Sequence, residues 1–293
     1  MIQRRFEIPL LVIVLCAVSQ SHLQGQELQA SAPGKPPVEV FLIASGKNGL
    51  PALLAQSDLA VTVDKQPVQV SSLRSAKDDK LLFAVVIDVS TSSGRQAEWI
   101  REAAKQLFQG LSTDGNKGYL VVFDVKARMS DRTLESSEAR QVLDRVKFGG
   151  GTALFDAIAQ TSATVLSKSR NPEIARRVIV LLSDGDDNQS RTRPQQAEQL
   201  ADREGVSIFC LGTSIAHGRG EEVLQEFAKE TGGQAIFEAK LEEGVRTLLA
   251  AIDSQSVLSF VQDPPSNRDM HALVVKSSQK DIQISAPAEI SLP

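Results

Sequence analysis

Residues 81–94 read LLFAVVIDVSTSSG, an apolar run that ends on Asp88 and is followed by Val89, Ser90, Thr91 and Ser92. The first seven residues are apolar without alternation, the pattern of a strand covered on both faces. Such a strand belongs to a sheet that lies between two helical layers. The polar cluster begins where this strand stops. Its acid and two serines stand two apart, so an irregular loop can turn all three oxygens to one side while Val89 returns to the core.

Downstream, the same kind of strand recurs at YLVVFD (119–124), RVIVLLSD (177–184), VSIFCLG (206–212) and QAIFEA (234–239). Helical patterns alternate with them. Ile100, Ala103, Ala104, Leu107, Phe108 and Leu111 fall on one stripe at helical period. Segments 136–148, 153–169, 194–205, 221–233 and 241–255 behave alike, and a Gly precedes the next strand after the third and fourth of these, as helix C-termini favour. Repeated β–α alternation predicts a doubly wound, mostly parallel sheet with helices on both faces.

Flanking this core, residues 38–75 and 256–293 have β character and no helical period. Each is near the ~40 residues below which isolated domains seldom fold, so the two are expected to pack on each other or on the core. Residues 26–37, QELQASAPGKPP, read as a linker. Residues 1–25 carry Arg4 and Arg5, then the apolar stretch 8–18, then small residues, the order of a secretory signal peptide. The apolar stretch is shorter than the ~20 residues of a membrane span. The expected chain is therefore exported, to the periplasm or beyond, with no transmembrane helix after processing. Its remaining cysteine, Cys210, lies in an apolar string and reads as a core residue.

Composition narrows the function. The net charge is −4, aromatics make up 4%, and no run of Lys or Arg forms a phosphate-binding stripe, which argues against nucleic acid. The two histidines beyond the signal segment, His217 and His271, stand outside any nucleophile-elbow motif, so no catalytic residue is assigned and no enzyme activity is expected.

Binding residues are easier to see. In a doubly wound sheet, ligands lie beyond the carboxyl ends of the strands. Asp88 ends one strand there, Asp184 ends another, and Thr152 follows Gly149–Gly151 at the start of a helix. With Ser90 and Ser92 this makes two carboxylates and three hydroxyls, all hard oxygen donors, which suit Mg²⁺, Ca²⁺ or Mn²⁺. So few carboxylates leave part of the ion's shell to water or an outside ligand. Taken alone, Asp88 to Ser92 would read as a helix cap and turn. A calcium loop starting at Asp184 fails because Gln189 and Gln195 replace the Gly and Glu it needs. A phosphate loop at FGGGTA fails because no Lys precedes Thr152.

Asp88-x-Ser90-x-Ser92, Thr152 and Asp184-Gly185 resemble, in type and order, the metal-ion-dependent adhesion site of von Willebrand factor A domains. The resemblance covers residues 80–255, including GGTALFDAI, LLSDGDDN and ETGG, and the flanks are similar to exported bacterial proteins related to these domains. It implies that Ser90 and Ser92 bind the metal directly, and that Thr152, Asp88 and Asp184 act directly or through water. Asp156 would brace the loop from within its helix. It further implies a protein partner that presents an Asp or Glu to the metal in an adhesion-type contact. The other readings are an A-domain subunit of a chelatase-like assembly and a structural A domain without metal.

Overall fold

The computed structural model describes residues 37–113, 115–212, 218–262 and 269–292. The expected signal peptide and nearly all of the linker lie outside these residues, as does His217. The chain begins with β1 (Val38–Gly46), β2 (Leu59–Val63), β3 (Gln66–Val68) and β4 (Val70–Ser75). The β/α region follows with β5 (Leu81–Asp88), α1 (Ala97–Leu111), β6 (Lys117–Phe123), β7 (Ala127–Met129) and α2 (Ser136–Arg145). It continues with α3 (Leu154–Ala163), β8 (Arg176–Ser183), α4 (Pro194–Glu204), β9 (Val206–Gly212), α5 (Arg219–Glu230), β10 (Ala235–Ile236) and α6 (Leu241–Asp253). The last strands are β11 (Ser256–Phe260), β12 (His271–Ser277), β13 (Ile282–Ser285) and β14 (Glu289–Ile290).

The central sheet runs β10-β9-β8-β5-β6-β7, parallel except for β7. Numbered within the β/α region, that is the order 3-2-1-4-5-6 of doubly wound nucleotide-binding sheets. Strand order reverses between β5 and β8, so a crevice opens beyond their carboxyl ends. All eight residues of β5 and all eight of β8 are buried. Phe83, Val85 and Ile87 face a core built with α1, α2 and α6, while Leu82, Ala84 and Val86 face the one built with α3, α4 and α5. The unbroken apolar run of the sequence is this two-sided burial. The six apolar residues on the α1 stripe are all buried, and the larger ones contribute about 1.5–3 kcal/mol each.

The two terminal β regions interleave. β1 lies between β11 and β13, and β2 lies between β12 and β3, which gives two four-stranded antiparallel sheets. Val40, Leu42, Val61, Val63, Leu258, Phe260 and Leu273 fill one core between them. At the amino end of the central sheet, buried Arg176 ties the chain's two crossings together. Its Nε donates to Gln255 Oε1 (3.0 Å), Nη1 to the carbonyl of Ala76 (3.0 Å) and Nη2 to the carbonyl of Ile252.

Several details depart from the sequence expectation, among them the strand expected over 234–239, of which only Ala235–Ile236 forms. β7 was not foreseen, because three residues carry too little pattern. The helix expected over 136–148 stops at Arg145 because Val146 is extended. The helix expected over 153–169 stops at Ala163. There the Thr164 hydroxyl donates to the carbonyl of Gln160, and its backbone leaves helical geometry.

Candidate metal centre

The site is built from three loops at the carboxyl edge of the sheet, with the glycine loop bonded to both of the others. The first follows β5. Its Asp88 Oδ1 accepts the backbone N–H of Ser90 (2.9 Å), a turn that brings the Ser90 and Ser92 hydroxyls within 3.1 Å of each other. The glycine loop, 149–151, is stitched to it: Gly149 N–H donates to the carbonyl of Val89 (2.7 Å), and Thr91 donates N–H and hydroxyl to that of Gly150 (3.1 and 2.9 Å). The loop after β8 is bonded to the glycine loop from the other side. Asn188 Oδ1 accepts the N–H of Thr152 (3.0 Å), and the carbonyl of Thr152 accepts the N–H groups of Asn188 and Gln189 (3.0 Å each).

Helix α3, which follows Thr152, has no cap from its own N-cap residue, Ala153. Its free N–H groups are satisfied from the loop after β8, with Phe155 donating to Asp187 Oδ2 (3.3 Å) and Asp156 to Ser190 Oγ (3.1 Å). The carboxylate of Asp156 accepts in return from the N–H groups of Arg191 (3.2 Å) and Thr192 (2.8 Å). Asp156 therefore holds that loop from within the helix.

Asp88, Ser90, Thr152 and Asp184 are buried, and Ser92 is half-buried. Burial pushes the Asp88 carboxyl up to about 6, an effect opposed by the bonds from Ser90, reinforced by the charge of Asp184 and opposed again by the Ser183 hydroxyl. Asp88 thus feels the charge of a second buried carboxylate, which costs free energy unless a positive charge joins them. Among the described residues no group of three or more His, Cys, Asp or Glu is placed to hold a metal, so any cation here depends on the hydroxyls. The donor set fits one. Neighbouring ligands of an octahedral Mg²⁺, each about 2.1 Å from the ion, lie about 3 Å apart, close to the Ser90–Ser92 separation.

Sequence reasoning passed over Ser183 and Asn188, the residues that fix Asp88 and Thr152. The one available signal was the length of the polar run SDGDDNQS, which exceeds the needs of a turn. Gly185 is required for another reason: at φ +81 it lies against Gly220 at the start of α5, where a Cβ would overlap the Gly220 carbonyl.

Fold and cluster together define a doubly wound α/β domain with a buried set of oxygen donors at its switch crevice. The sequence model of the von Willebrand factor type A domain matches residues 83–251, and the chain belongs to that family, which is known for metal-dependent protein interaction. It is similar to a UPF0353 protein of Nocardia farcinica, 26% identical over 59% of this chain and 62% of the other. It is also similar to human inter-alpha-trypsin inhibitor heavy chain H4, 31% identical over 51% of this chain and 17% of the other. The chain thus spans less than two thirds of the length of these curated relatives. Among solved structures, proximal thread matrix protein 1 of the mussel byssus, described with a zinc-occupied MIDAS motif, aligns with TM-score 0.50 and 20% identity. That alignment covers 64% of this chain and 48% of the mussel protein.

Proposed function

We propose that this chain is an exported, divalent-metal-dependent binding domain that engages an Asp or Glu of a protein partner. Asp88, Ser90, Ser92, Thr152 and Asp184 hold the cation, directly or through water, and an acid of the partner completes its shell. The observation that carries this reading is a set of two buried carboxylates and three hydroxyls on three loops, the glycine loop bonded to both of the others. A metal bound here would supply positive charge that draws in a carboxylate, a charge-assisted contact in a partly dry site. The role is binding and not catalysis. Mg²⁺, Ca²⁺ and Mn²⁺ suit the donors by hardness, and the zinc held by the mussel protein makes Zn²⁺ a fourth ion to titrate.

The same proposal divides the chain into a signal peptide (1–25), a linker (26–37), the A domain (80–255) and β segments at 38–75 and 256–293. Export is supported by the charged, apolar and small-residue order at the start of the sequence. Among the described residues no helix is long and apolar enough to cross a membrane. A native N-terminus at Met1 with the apolar stretch retained would overturn the signal-peptide reading and put an anchored protein in its place.

Calorimetry with each ion tests the site. Asp88→Ala should abolish Mg²⁺ binding with the fold intact, and Asp184→Asn should weaken it less. A pull-down from the cell envelope of the source organism, in Mg²⁺ and in EDTA, then tests the partner. Thr152→Ala should weaken capture, and so should changing one partner acid to its amide. Capture undiminished in EDTA would place the interface elsewhere.

A further inference from the structure

Beside the glycine loop lies a groove of about 780 Å³, walled by β6, the strand β7 and α2. Val122, Leu134, Val142, Val146 and Phe148 give it an apolar lining. Val142 is exposed, and Phe148 is held by Arg101, whose guanidinium lies 5.1 Å from the ring centroid and donates to the carbonyl of Val146 (2.9 Å). Gly149, whose N–H is bonded to the loop carrying Ser90 and Ser92, also lines the groove, which therefore adjoins the candidate cation site.

Charge decides what kind of segment. Four cations and two carboxylates line the groove. Both carboxylates are already paired: Asp124 takes two bonds from Arg128 (3.0 and 2.9 Å), and Glu138 takes two from Arg132 (3.1 and 2.6 Å). Arg145 and Lys147 are exposed and have no ion-pair partner among the described residues. The lining thus carries an excess of two positive charges on a chain whose net charge is −4. A concave, partly apolar wall of one sign concentrates ligands of the other.

We propose that this groove seats the stretch of the protein partner next to the acid that reaches the cation, and that this stretch carries a further carboxylate beside an apolar side chain. Arg145 and Lys147 take the carboxylate, and Val142 and Phe148 take the apolar group. The proposal rests on the metal-site reading for its orientation, but its charge contacts do not need the metal.

The test is fluorescence polarisation with the full chain and three labelled peptides: one alternating Leu with Glu, one alternating Leu with Gln, and one alternating Gly with Glu. The Leu–Glu peptide should bind most tightly. The double variant Arg145→Glu, Lys147→Glu should weaken it at least tenfold in Mg²⁺ and in EDTA alike. A Leu–Lys peptide should bind that variant better than it binds wild type, which excludes simple misfolding. Asp88→Asn should weaken the Leu–Glu peptide in Mg²⁺ only. If Asp88→Asn and EDTA have no effect while the double variant does, the metal reading fails and the groove stands. Equal affinity of wild type and double variant overturns the groove. So does a Gly–Glu peptide or a heparin fragment that binds as well as Leu–Glu, or the absence of any peptide binding.

Discussion

The hydroxyl of Ser183 donates to Asp88 Oδ2 at 2.9 Å, joining the last residues of β8 and β5 across the point where strand order reverses. The same Ser183 oxygen accepts the N–H of Gly185 (3.1 Å), so one side chain positions both the first acid and the turn after the second. Removing it leaves a buried carboxylate short of a partner. Ser183→Ala should lower stability by about 1–3 kcal/mol and weaken Mg²⁺ binding several-fold, as read by urea midpoint and calorimetry. A variant with native metal affinity would show that Ser183 does not position the site.

Gly185→Ala tests the backbone of the second acid's turn. A Cβ at this left-handed position meets the Gly220 backbone, which has no flexible side chain to yield. Destabilisation should exceed about 2 kcal/mol and metal binding should be lost with it. Gly149→Ala is the comparison: nothing among the described residues stands within 4 Å of an added Cβ, so its cost should be confined to the backbone.

Arg176 lies at the opposite end of the sheet from the metal loops. Burial pushes its guanidinium below the usual range, and Asp253 and Asp79 partly offset this from a distance. Its three acceptors are one amide oxygen and two carbonyls, which a lysine ammonium cannot fork across. Arg176→Lys should cost about 3 kcal/mol or more, measured by chemical denaturation, while Mg²⁺ affinity of the folded fraction stays within twofold. A metal site that fails in step with the latch would contradict this separation.

Asp202 supplies a pH dependence distant from the metal. It is buried at the end of α4, where Oδ2 accepts the N–H of Glu289 (3.0 Å) and Oδ1 has no partner among the described residues. Burial raises its carboxyl to about 8, the Glu289 N–H opposes the rise, and the acids Glu289, Glu198 and Glu230 add to it, with Lys168 and Glu204 close by. Between about pH 4 and pH 8 the folded chain holds a proton that the unfolded chain has released, so stability falls as pH rises through that window. Asp202→Asn should flatten the slope and be more stable than wild type at pH 8. Thermal unfolding at pH 5 and pH 8 reads the difference, and equal slopes would remove Asp202 as its source.

Much of this was legible beforehand, for local reasons. β5, β6, β8 and β9 announce themselves as mainly apolar runs because their central residues are buried on both faces, and the α1 stripe follows from helical period alone. That Asp88, Ser90, Ser92, Thr152 and Asp184 stand at one edge of the sheet was legible because each lies at a strand end or loop whose place in a doubly wound sheet is fixed by topology, while their hold on a cation is the proposal that calorimetry tests. Ser183 and Asn188 were not, since a serine in a strand and an asparagine in a polar loop acquire their roles only from what lies opposite. Cys210 reads correctly as core, and its thiol is pushed upward by burial alone.

The sequence by itself determined the alternation of strand and helix, the two-layered burial of β5 and β8, and the hard-oxygen character of the cluster after Asp88. Only the tertiary structure decided that the terminal β regions interleave, where Asp64 meets His271, 207 residues away, at 2.9 Å. It also decided that Arg176 clamps both crossings and that Arg145 and Lys147 have no ion-pair partner among the described residues. Periodicity reports which face of an element is buried, and it is a property of neighbours in sequence. Which buried faces meet, and which charges find partners, depends on contacts between residues far apart in the chain, where no period links them.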